Sequence, residues 1–96
     1  MIQIATIETS KAERLMKALC NHFARKITAA YENEKGYIEF GDGRCEITVT
    51  PDTMVLMVIA KNVEGLSRVE RVVSEHLLRF TPEDEIEINW VNKEQD

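Results

Sequence analysis

Ninety-six residues, 44% hydrophobic and 30% charged, suffice for one domain but not two, and are too apolar for a disordered chain. The net charge of −5 falls entirely in residues 51–96, which hold five basic and ten acidic side chains against seven of each in residues 1–50. Such a surface repels phosphate backbones and no apolar run approaches the ~20 residues of a bilayer span, so neither nucleic acid nor membrane is an expected partner.

The start, Met1-Ile2-Gln3-Ile4-Ala5-Thr6, lacks the basic and long apolar stretches of an export signal, which makes a cytoplasmic location the expectation. Residues 1–8 read as a strand, with Ile2, Ile4 and Thr6 on one face and Gln3, Ala5 and Ile7 on the other. Thr9 or Ser10 is the expected cap, Glu13 standing three residues after Ser10 as a capping box requires, and Ala12, Leu15, Met16, Leu19, Cys20, Phe23 and Ile27 then recur at helical spacing. This predicts an amphipathic helix reaching about Lys26.

A meander of strands follows. Residues 28–33 and Tyr37 to Phe40 are predicted strands, joined by the turn Asn33-Glu34-Lys35-Gly36, where the glycine is expected to take the positive φ. Gly41-Asp42-Gly43 reads as a hairpin turn, too short to cradle a phosphate. Cys45, Ile47 and Val49 then alternate with Arg44, Glu46, Thr48 and Thr50, and Pro51-Asp52 turns the chain again. Met54 to Ala60 is apolar throughout, as expected of a strand covered on both faces or paired at a subunit contact; a homodimer is one expectation.

A second helix is predicted from Asn62 or Val63, with Leu66, Val69, Val73, Leu77 and Phe80 as its stripe and Val72 and His76 at the edge. Thr81-Pro82 stops it, because proline excludes the helical region for the residue before it. Ile86, Ile88 and Trp90 alternate with polar neighbours as a last strand, and the tail 92–96 is expected to fray. The acids Glu83, Asp84, Glu85 and Glu87 are expected to keep the domain in solution. The fold class is therefore α+β: one domain over 1–96, an antiparallel sheet with two helices on one face, in the order β-α-β-β-β-β-α-β.

Chemistry-bearing residues are few: no Ser/His/Asp order, HExxH or P-loop is present. Cys20 and His22 lie two apart on a helix, about 160° around its axis, so they do not share one ion; no metal site and no cofactor are expected. Cys20 and Cys45 both point into the layer between helix and sheet. They are expected as two reduced core thiols, with a redox pair as the alternative. His22 and His76 each flank the apolar stripe of their own helix. If those flanks face each other, His22, Lys26, His76 and Arg79 form a candidate site for a small anion, or a group that titrates near neutral pH. The plainer reading is two histidines bonded to backbone carbonyls.

The stretch Leu19-Cys20-Asn21-His22-Phe23-Ala24-Arg25-Lys26, with Gly43-Arg44-Cys45, His76-Leu77-Leu78-Arg79-Phe80 and Trp90, resembles domain-of-unknown-function family 2218 of bacteria over nearly the whole chain. Members often carry a second histidine where this chain has Arg25. The resemblance implies interest in Cys20, His22, Phe23, Lys26, Gly43, Cys45, His76 and Phe80, without implying an activity. Attachment of such domains to siderophore-interacting flavoproteins implies a link to iron. The expectation is thus an accessory domain, not an enzyme, that binds a small ligand or a partner protein. The alternative is an iron-linked or thiol redox role through Cys20 and Cys45 or His22 and His76.

Overall fold

A computed structural model describes residues 1–82 and 86–93; Glu83, Asp84, Glu85 and residues 94–96 lie outside the described residues. The elements are β1 (Ile2–Glu8), α1 (Ala12–Phe23), β2 (Ala29–Glu32), β3 (Lys35–Glu39), β4 (Gly43–Val49), β5 (Thr53–Ala60), α2 (Val63–Phe80) and β6 (Val91–Asn92). The strands form one antiparallel sheet in the order β2-β3-β4-β5-β1-β6. Both helices lie on one face of it, as the patterning predicts.

The core is the layer between. β4 contributes Cys45, Ile47 and Val49, β5 contributes Met54, Leu56, Val58 and Ala60, and β1 contributes Ala5 and Ile7. Above them lie Leu15, Met16, Leu19 and Cys20 of α1 and Leu66, Val69, Val73 and Leu77 of α2. Each buried leucine or isoleucine contributes roughly 1.5–3 kcal/mol by leaving water, so the apolar stripes, more than helix propensity, hold these helices in place. Among the described residues no helix is long and apolar enough to cross a membrane.

Local details depart from the expectations in four places. No capping box closes α1: its N-cap is Lys11 with no side-chain cap bond, and Thr9 Oγ1 instead accepts from the Lys11 amide at 3.1 Å. Glu13 pairs forward with Lys17 at 3.6 Å, one turn along the helix. α1 also ends at Phe23, where the Phe23 carbonyl accepts from both Lys26 and Ile27 amides and tightens the chain into a turn. The positive φ of the β2–β3 turn falls on Asn33 (58°), not on Gly36, which sits inside β3; Asn tolerates that region better than most residues. Finally, Ile86, Ile88 and Trp90 do not form a ladder strand. They pack against the core, Trp90 Nε1 donating to Ser74 Oγ of α2 at 3.2 Å, and only Val91–Asn92 pairs with β1.

Other expectations hold. Gly41 takes φ 89° in the β3–β4 hairpin, where Asp42 receives a forked bond from Arg68 of α2 at 2.8 and 3.2 Å. α2 begins at the expected place, with the Asn62 side chain accepting from the Gly65 amide at 2.8 Å. It stops at Thr81, whose buried hydroxyl donates back to the Leu77 carbonyl at 3.3 Å.

Candidate functional site

Two helices of unequal length end at the same place. α1 stops at Phe23 and α2 at Phe80, so the last turns of both meet at one end of the helical layer. His22 lies in the last turn of α1 and His76 one turn before the end of α2. Their rings face each other with centroids 4.8 Å apart, tilted by 50°. The facing flanks expected from the stripes are realised.

Two phenylalanines flank the pair, and a third packs on one of them. Phe23 lies 5.1 Å from His22, edge-on, and 4.8 Å from His76; Phe80 lies 5.9 Å from His22. Phe40, at the end of β3, packs edge-to-face on Phe23 at 5.2 Å. These separations are those of ordinary aromatic packing, so the imidazoles belong to an aromatic cluster with partly buried phenylalanine rings and an exposed His22. Phe40 was not legible as a member: it follows a strand whose alternation says only which side it faces.

His76 Nδ1 is 2.7 Å from the Val72 carbonyl. A carbonyl can only accept, so His76 Nδ1 carries a proton and donates to it. The carbonyl-bonded histidine of the plainer reading is thus found at His76, together with the His–His approach that the functional reading requires. Partial loss of hydration lowers the pKa of His22, and the positive neighbours His76, Arg25, Arg79 and Lys26 lower it further. Four of the nearby groups therefore act on His22 with the same sign. Basic side chains at helix C-termini also offset the helix dipoles, here twice over.

The thiols form no part of this cluster. Cys20 and Cys45 are both free and buried between α1 and the sheet. Burial pushes Cys20 up to about 11, against a hydrogen bond from the Tyr37 backbone, and pushes Cys45 up to about 12, with Cys20 and Glu46 adding to the rise. Thiols so protonated are poor nucleophiles and poor metal ligands. Among the described residues, no three of His, Cys, Asp or Glu converge as metal ligands.

A broader concavity of ≈ 830 Å³ lies on the other face of the sheet, over β2–β4, lined in part by Tyr37, Arg44 and Glu46. Arg44 donates to Glu39 and, at 3.0 Å, to Glu46, and stacks over the Tyr37 ring at 4.5 Å. Arg44 is thus paired with carboxylates on its own sheet face.

Residues 4–91 match the model of a family described as an uncharacterised protein conserved in bacteria, DUF2218. No curated protein matches the chain. Among solved structures, the chain is similar to the NMR structure of PA4090 from Pseudomonas aeruginosa, with 29% sequence identity and a TM-score of 0.79. The match covers 95% of this chain and 96% of that one. The likeness extends over the whole two-helix, six-strand arrangement.

Proposed function

The chain belongs to the DUF2218 family of uncharacterised conserved bacterial proteins, and we propose that it acts as a non-enzymatic accessory domain whose paired helix ends bind a small organic anion. The observation that carries this reading is the convergence of His22, His76, Arg25, Lys26 and Arg79 beside the rings of Phe23 and Phe80. A carboxylate gains charge-assisted hydrogen bonds from such a rim, worth roughly twice a neutral one. A flat apolar body gains area and edge contacts from the aromatic rings. An aromatic carboxylate combines both. The thiols lie in the core, apart from this cluster, which favours a ligand-holding reading of the helix ends.

The reading is tested with benzoate and inorganic phosphate as probes, followed by amide and imidazole NMR shifts. The expected result is saturable shifts gathered on residues 22–26 and 76–80, stronger for benzoate, and weakened about tenfold, or 1.4 kcal/mol, by His22→Ala or Arg79→Ala. Shifts scattered over the surface, or unaltered by either substitution, would overturn it. The rival iron-linked or thiol redox role requires a bound metal or a reactive thiol. Metal analysis of untagged protein and native-state thiol labelling decide that point.

A further inference from the structure

β5 is apolar from Met54 to Ala60, yet the helices bury only Met54, Leu56, Val58 and Ala60. Val55, Met57 and Ile59 point to the opposite, helix-free face, beside Thr6, Ile4 and Ile2 of β1 in the ladder. An antiparallel sheet with one face in water ordinarily carries polar residues there. β3 and β4 obey that rule and β5 and β1 do not. The open face is therefore divided across its strands into a polar half and an apolar half, with Val91 of β6 64% exposed at the apolar edge.

The registers stack this face into three levels. The middle one runs Tyr37, Glu46, Met57, Ile4. One flanking level runs Glu39, Arg44, Ile59, Ile2, and the other Lys35, Thr48, Val55, Thr6. We propose that a second copy of the chain covers this face, sheet against sheet, about a two-fold axis that crosses the strands along the middle level.

Self-complementarity selects that axis. A two-fold axis parallel to the strands through the middle of the sheet would lay the Arg44 half on the Ile4 half and bury charge against hydrocarbon. The crossing axis lays each strand over its own copy, apolar half on apolar half, and exchanges the flanking levels. Ile59 then meets the partner's Val55, and Met57 and Ile4 meet their own copies. On the polar side Glu39 meets the partner's Lys35, and by symmetry the pair occurs twice. Glu46 lies on the axis, where two carboxylates approach, but each is already bonded to its own Arg44.

The area is that of a weak contact. Strands β2, β3, β4, β5 and β1, at about 3.3 Å per residue and about 4.8 Å apart, present roughly 490 Å². A specific, stable dimer buries roughly 600–1,000 Å² on each partner, so this face supports a weak, concentration-dependent dimer.

Sedimentation equilibrium of the full chain from micromolar to millimolar concentration tests the proposal. The expected mass rises toward twice the 11.0 kDa of one chain. Met57→Lys is expected to hold it at one chain while the circular dichroism stays native. Should that variant unfold, the surface pair decides: Glu39→Lys and Lys35→Glu each weaken association about tenfold, and the double exchange recovers part of the loss, the remainder belonging to the Glu39–Arg44 pair within each chain. A mass of one chain at every concentration overturns the proposal. So does a dimer indifferent to Met57→Lys, or a pair of charge reversals whose effects merely add.

Discussion

A Cβ placed on Gly36 would lie 3.0 Å from the sulfur of Cys20 and 3.2 Å from the Ala30 carbonyl oxygen. The glycine lets α1 settle onto β3, and the thiol fills the space that a side chain would otherwise take. Gly36→Ala is expected to destabilise by about 1–3 kcal/mol through overpacking. In a Cys20→Ala background the same change should cost less, since only the Ala30 and Tyr31 contacts remain. Urea denaturation of the four proteins measures the coupling; equal costs in both backgrounds would mean that the sulfur is not the obstacle.

The thiols should behave as core. Neither Cys20 nor Cys45 is expected to react with an aromatic disulfide reagent until the protein unfolds, when both should titrate together. Their raised values also fix an alkaline signature. The unfolded chain releases thiol protons from 9.0, whereas the folded one holds them to about 11 and about 12. The folded state thus binds more protons above pH 9, and stability falls as pH rises from there toward the folded values. Cys45→Ala should make that alkaline decline shallower, read as the slope of unfolding free energy against pH.

His22 works in the opposite direction. Its pKa in the fold lies below the ordinary 6.5, so the unfolded chain binds the proton more readily. The stability due to neutral His22 is present above pH 6.5 and is lost as pH falls through the folded value. His22→Asn should flatten this acid-side loss in chemical denaturation at pH 5–7. The Nε2 and Nδ1 shifts of His22 should titrate below those of the denatured protein; a higher midpoint in the fold would contradict the charge environment described.

At the start of α2 the prediction concerns the cap. Asn62→Ala removes the acceptor for the Gly65 amide and should cost about 1 kcal/mol, within a range of about 0.5–2. Asn62→Ser should recover most of it. Thermal denaturation separates the two, and an alanine variant as stable as the parent would show that water replaces the cap.

The open sheet face and the histidine cluster lie on opposite sides of the molecule. Loss of dimerisation by Met57→Lys should therefore leave benzoate binding unchanged, and His22→Ala should leave the mass unchanged. Both are read on the same protein samples by sedimentation and NMR.

Much of this molecule follows from local pattern. A period near 3.6 in Leu15, Met16, Leu19 and Cys20, and alternation in Cys45, Ile47 and Val49, state which face each element buries, and burial follows from hydrophobicity alone. Hence the two helices, the α+β class, the buried thiols and the flank positions of His22 and His76 are readable from the chain. What the chain does not state is which elements become neighbours. The insertion of β1 between β5 and β6, the shared end of α1 and α2 that brings the imidazoles to 4.8 Å, and the arrival of Phe40 against Phe23 depend on packing across long stretches of sequence. Gly36 shows the same limit. As a turn glycine it would serve its own backbone; in the sheet it serves a sulfur 16 residues away in sequence, a distance that only tertiary packing closes.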